Sequence, residues 1–196
     1  MSLEADGGAQ LEIVVPRLGE LIGQVGPDDM DRSTPCEDWT VRDLLNHVVG
    51  GAQMFCGAFN GDAMQDISGR MPDVVGDDPA GAFGATAEAF GASVALPGAM
   101  EREYAMPFGP MDGPTVLRYL AFDLSIHTWD LASALRSDVG LPDDLIAEVD
   151  RFGRRVLGGW SRDGINFQEA VAPPDGADTL ERLVAFTGRR VAVRTR

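Results

Sequence analysis

The sequence predicts an all-α protein, an up-down four-helix bundle with short extra helices at its C-terminal end. Two observations carry that prediction. Apolar residues recur three or four apart through several long segments, the spacing of one face of a helix. Helix-start signals stand at the boundaries of those segments: Thr40 with Asp43, Asp78 with Pro79, Pro114, Pro142, and Asp178 with Glu181.

Taken in order, residues 1–8 read as a disordered tail and residues 9–196 as a single helical domain. The first helix is expected over 9–25, where Leu11, Val14, Val15, Leu18, Leu21, Ile22 and Val25 keep helical spacing. Pro16 interrupts that run and is expected to kink it or to mark its true start. A turn-rich connector over 33–39 follows. Thr40-Val-Arg-Asp43 then reads as a capping box, each side chain satisfying a free N–H of the other's backbone. It opens a second helix over 41–59, whose apolar positions bracket His47. Gly50-Gly51 inside it lets another backbone or a ligand come close.

Residues 60–78 are polar and rich in Gly and Pro, and are expected to form a long loop. Asp78-Pro79 fits an N-cap with Pro at the first helical position, opening a third helix over 79–95 with Phe83, Ala87, Phe90 and Val94 on one stripe. Its several Gly residues make it weak on propensity. Residues 97–114 are expected to be irregular, extended near Tyr104-Ala-Met106. The fourth helix, over 114–136, has the clearest stripe: Leu117, Leu120, Leu124, His127, Leu131 and Leu135. Pro142-Asp143-Asp144 opens a fifth, with acids where the helix dipole favours them. Residues 167–174 are expected to be extended, and Asp178-Thr-Leu-Glu181 caps a short terminal helix ending near Gly188.

Composition narrows the function. At 44% hydrophobic, 196 residues can bury a sizeable core. There is no uninterrupted apolar run long enough to span a membrane. The acidic, small-residue N-terminus lacks the features of a secretory signal, so a cytoplasmic location is expected. A net charge of −15 repels phosphate backbones and anionic headgroups, which argues against nucleic acid and membrane surfaces as partners. The expected partner is a small-molecule substrate, with helix faces that can pair as a homodimer. Every basic residue is Arg. Cys36 and Cys56 make no disulfide framework. There is no Walker-type loop, GxGxxG, GxSxG or CxxC.

The chemistry-bearing residues are the two histidines. His47 and His127 are the chain's only ones, and both lie among apolar neighbours on expected helices. Asp123 precedes His127 by four residues, so the two sit about 40° apart around the helix and one turn apart along it. An acid and an imidazole on one stripe can hold an ion from the same side, and His47 from a second helix can close the site across the bundle. Three N/O ligands leave a fourth position open for water or substrate. The residues alone leave two readings standing, since a histidine on an apolar helix face is also a common core residue bonded to a carbonyl. Trp39 and Trp129 read as packing residues. Asn46 and Asp130 read first as solvent-facing polar residues and second as partners behind the ligands, and Arg42 and Arg118 read first as surface pairs and second as recognising an anionic substrate. Cys56, about half a turn out of phase with His47, is expected to face away from any ion, and Cys36 to be a small buried residue.

Three stretches add a resemblance. Thr34-Pro-Cys-Glu-Asp-Trp-Thr-Val-Arg-Asp-Leu-Leu-Asn-His-Val-Val-Gly-Gly51, Asp123-Leu-Ser-Ile-His-Thr-Trp-Asp-Leu-Ala132 and Leu183-Val-Ala-Phe-Thr-Gly-Arg189 resemble the actinobacterial metal-binding proteins related to the N-terminal domain of mycothiol-dependent maleylpyruvate isomerase, within the DinB-like (YfiT-like) group. The motifs keep their order across nearly the whole chain. The resemblance implies a DinB-like four-helix fold and a divalent ion, zinc or nickel, held by His47, Asp123 and His127. It implies mycothiol as a thiol cosubstrate. The isomerase tends to carry Glu where this chain has Asp123, one methylene shorter, so an ion is expected to sit closer to the helix here or to be held more weakly. The second domain of the full isomerase is not expected in this chain, so the resemblance carries the metal site further than the isomerisation.

The function expected is therefore a metal- and thiol-dependent isomerase or transferase acting on a small electrophile, with no catalytic residue assigned beyond the ligands. Two other classes stay open on the same residues: a metal-dependent small-molecule hydrolase, and a non-catalytic metal- or ligand-binding module.

Overall fold

The computed structural model describes residue 3 and residues 6–36, 38–63, 71–106, 109–158 and 167–191. Among these, six α-helices and one β-hairpin form: α1 (Gly7–Ile22), α2 (Val41–Asn60), α3 (Pro79–Val94), β1 (Glu103–Met106), β2 (Gly109–Asp112), α4 (Gly113–Leu135), α5 (Asp143–Leu157) and α6 (Thr179–Phe186). A single 3₁₀ turn at Pro27–Asp29 follows α1.

The caps explain why the helices begin where they do. At α2 the Asp43 N–H donates to Thr40 Oγ1 at 3.2 Å and the Thr40 N–H donates to Asp43 Oδ2 at 2.9 Å. Asp178 and Glu181 repeat the exchange at α6. Asp78 and Asp112 each accept one N–H from the first turn of the helix that follows, before a Pro that has no N–H to lose. α1 begins at Gly7, inside the stretch expected to be tail, because Asp6 supplies the cap by accepting from Ala9. Residues 1, 2, 4 and 5 of that stretch, and 64–70 of the expected loop, lie outside the described residues. α1 also runs through Pro16 without ending. Tertiary packing outweighs the one lost backbone bond: Val14 and Leu18, either side of it, are fully buried.

The bundle is a ring of four. α1 packs on α4, α4 on α2, α2 on α3, and α3 back on α1, so ring order differs from chain order. α5 covers α4 from outside the ring and α6 packs on α5. α4 is the hub, with Phe122, Ile126 and Leu131 fully buried. The stretch expected to be irregular before α4 contains a correction. Glu103–Met106 and Gly109–Asp112 pair antiparallel, Tyr104 opposite Met111, with Tyr104 and Met106 facing the core in a period of two. Residues 167–174, expected to be extended, form no strand. No described helix is long and apolar enough to cross a membrane.

Candidate metal centre

His47 projects from the second turn of α2, while Asp123 and His127 project from successive turns of α4. The ring of helices brings them together. One ligand atom from each lies within 4.8 Å of the others. The two imidazole rings are 4.9 Å apart between centroids and nearly perpendicular, at 69°. His127 Nε2 lies 3.7 Å from Asp123 Oδ1. All three line a cavity of about 350 Å³ between α1, α2, α3 and α4.

His127 is oriented from behind. Its Nδ1 lies 3.0 Å from Asp130 Oδ2, three residues along α4. With the Nδ1–H donated to that carboxylate, the Nε2 lone pair points to Asp123 and His47, the tautomer a metal ligand needs. Asp130 is in turn clamped by Arg189, which donates from Nη2 to Oδ2 at 3.0 Å and from Nε to Oδ1 at 3.4 Å. Arg189 follows α6, donates from Nη1 to the Thr187 carbonyl at 3.2 Å, and reaches Cys36 Sγ at 3.5 Å. One buried guanidinium thus ties the C-terminal segment, α4 and the connector before α2 together. Burial alone would raise the Asp130 pKa, but the Arg189 charge and the His127 hydrogen bond outweigh it and hold it below the ordinary value, so the carboxylate stays charged.

Burial, then the His127 and Arg189 charges, push the His47 pKa from 6.5 down to about 3, leaving a neutral imidazole at pH 7. Burial raises the Asp123 pKa, opposed by His127 and Arg189. Trp39 covers the site, its ring 4.7 Å from His47 and stacked within 18° of His127 at 6.2 Å. It reaches there because the connector closes on itself. The Thr34 N–H donates to the Trp39 carbonyl at 3.0 Å, and Asp38 takes a left-handed backbone (φ 64°) in between. Cys36 lines the cavity beside Arg189, and burial pushes its thiol up to about 12, so it is a neutral thiol.

Two expectations are corrected. Asp130 does not face solvent: it is fully buried and holds His127. Asn46 is 5% exposed, and its Oδ1 accepts from the Val74 and Val75 N–H groups at 2.8 and 3.1 Å, pinning the chain after the long loop onto α2. Trp129 is a buried packing residue as expected. Arg42 pairs with Asp73 on the surface at 3.3 Å, also as expected. Arg118 lies over the Phe152 ring at 4.6 Å. Arg189 was given no role by sequence reasoning. The signal for Asp130 was present: His127 has an acid four residues before it and another three after, both on its own face.

Comparison with known proteins places these residues in context. Residues 11–132, spanning all three candidate ligands and Asp130, match the family described as the mycothiol maleylpyruvate isomerase N-terminal domain. An uncharacterized protein of Mycobacterium tuberculosis, present in strains H37Rv and CDC 1551, is 29% identical over 172 residues, covering 87% of this chain and 91% of the relative. Among solved structures, the mycothiol-dependent maleylpyruvate isomerase is similar at 17% identity with a TM-score of 0.49. A histidine-to-alanine mutant of that enzyme is similar at 15% with a TM-score of 0.50, a likeness of fold. Each covers 72% of this chain, which spans 65% of the isomerase.

Proposed function

The chain belongs to the family of the mycothiol maleylpyruvate isomerase N-terminal domain, and from that premise we propose a divalent-metal-dependent isomerase or transferase that uses a mycothiol-type thiol on a small electrophile. The observation that carries this reading is the convergence of His47, Asp123 and His127, from two helices, on the wall of one cavity. Zinc or nickel is the ion, the setting is cytoplasmic, residues 9–196 act as one domain, and pairing through helix faces gives a homodimer.

The residues fit such an ion. Two imidazoles and one carboxylate are ordinary zinc donors and leave an open position. Donors about 2 Å from one ion lie roughly 3.3 Å apart in a tetrahedron, so the present separation of up to 4.8 Å closes with small side-chain rotations. When bound, the ion supplies a thiolate at neutral pH by lowering the pKa of a coordinated thiol.

The chain's own residues do the rest. His47 is kept neutral by burial and so needs no deprotonation to coordinate. Asp123 supplies the single negative charge. Asp130 and Arg189 fix the His127 ring. Trp39 and the apolar walls exclude water, which strengthens every charge interaction inside.

The test is thiol-dependent consumption of an electrophile by zinc-loaded protein. Saturable consumption that falls at least a hundredfold in His127→Ala supports the reading, and equal rates in the two proteins refute it. A hydrolase would need a base on the cavity. Asp38 is the one lining carboxylate outside the triad among the described residues. Thiol consumption that survives Asp38→Asn separates the two chemistries.

A further inference from the structure

Helix α5 lies outside the ring of four, packed on α4 and α6, and turns a further face outward. Its exposed residues are Asp143, Asp144, Ala147, Arg151, Arg154 and Arg155. At about 100° per residue these fall within about 120° of arc, so they share one face. Charge is segregated along it: two acids, then a small side chain, then three arginines.

The helix dipole accounts for acids at the start of α5 and arginines at its end. It does not account for Arg118. That residue comes from the N-terminal half of α4, where the dipole gives a cation no support, yet it joins the arginine end of α5. Its guanidinium lies over the Phe152 ring at 4.6 Å. Burial lowers the Arg118 pKa most, and the Arg155 and Arg151 charges lower it further, opposed by Glu148. Glu148 is bonded to Arg151 at 2.7 Å, and Asp150 to Arg154 at 2.9 Å. Four guanidinia thus gather about two carboxylates, in a chain whose net charge is −15. The positive charge left over at this end is matched in size by Asp143 and Asp144 at the other.

We propose that this face pairs with the same face of a second copy, α5 antiparallel to α5 about a twofold axis level with Val149. The exposed positions are self-complementary under that rotation. Asp143 comes opposite the partner's Arg155, and Asp144 opposite the partner's Arg154. Ala147 comes opposite the partner's Arg151, whose long stem lies in the room a small side chain leaves. Each contact occurs twice, so the arginine end of each copy gains two carboxylates. The paired stretch is about 18 Å long and its contacts are exposed ion pairs, so the dimer is weak and salt-sensitive. The inference rests on the homodimer reading above and names its interface. No α5 residue is among the described residues that line the cavity, so pairing leaves the metal centre open.

The test is sedimentation velocity of the full chain from about 1 to about 200 µM, in about 50 and about 500 mM salt. The wild type should form a dimer whose Kd rises about tenfold or more in the higher salt. Arg154→Glu with Arg155→Glu makes the face acidic throughout, and Asp143→Arg with Asp144→Arg makes it basic. Each double variant alone should be monomeric, and an equimolar mixture of the two should restore a dimer, because every acidic end then meets a basic one. If either double variant lacks native circular dichroism, Ala147→Arg sets like charges at the crossing and must also abolish the dimer. A dimer with the same Kd in both double variants, or two monomeric variants that do not pair when mixed, overturns this interface and leaves the homodimer standing. A wild type monomeric at every concentration overturns both, and leaves the face to a different partner.

Discussion

Asp130 touches no cavity surface, yet it decides which nitrogen of His127 is offered to a ligand. Asp130→Asn keeps the shape and removes the charge that holds the Nδ1–H, so zinc affinity should fall about 10–100-fold in a chelator competition. Unchanged affinity would show that the ring is oriented by packing alone. Asp130→Ala should in addition destabilise the fold by about 3–5 kcal/mol, because it leaves the Arg189 charge buried and unpaired. His47 gives a pH signature to the metal-free protein. Its folded pKa lies near 3 against 6.5 unfolded, so the unfolded state binds the extra proton between those values, and stability falls as pH drops through that window. At pH 5 the loss is about 2 kcal/mol, from roughly 1.5 pH units at 1.36 kcal/mol each. Asp123 acts oppositely, since its folded pKa is raised. The measurement is therefore the difference in unfolding free energy between pH 7 and pH 5 for the wild type minus that for His47→Gln, and equal acid losses would contradict the assignment. At this scale the meeting of His47, Asp123 and His127 was legible because histidine is scarce and Asp123 shares a face with His127. Arg189 was not legible, because its partner lies 59 residues away and only tertiary structure joins them.

Helix α5 shows how an element is held. Its inner face carries Leu145, Val149 and Phe152, and Gly153 lets it approach α4 so closely that a Cβ there would collide with the buried Phe122 ring. Gly153→Ala should therefore destabilise by about 1–3 kcal/mol despite alanine's better helix propensity, seen as a fall of several degrees in Tm. A neutral or raised Tm would mean that the interface is looser than this. Helix starts were readable to within two residues because caps are local chemistry: Thr40 with Asp43 and Asp178 with Glu181 do in space what their spacing implies. The hairpin before α4 was only half legible. Tyr104 and Met106 alternate with the exposed Glu103 and Ala105 over only four residues, too few to declare a strand, and β2 carries Gly109 and Pro110, residues that strands ordinarily avoid.

Among the described residues the ring of helices is apolar within, and the buried Asp130 and Arg189 lie together beside His127. Asp123, Asp130 and Arg189 all gather at the two histidines. Periodicity foretold a helical bundle but not that α1 lies between α3 and α4, since neighbour order depends on which stripes fit each other rather than on how wide each is. The candidate site depends on that order, because it is what sets α2 beside α4. The most direct test is the metal content of purified wild-type protein, His47→Ala and Asp123→Ala after equilibration with zinc and removal of excess. One zinc per wild-type chain and markedly less in both variants is the predicted result. The same zinc content in all three proteins would contradict the site.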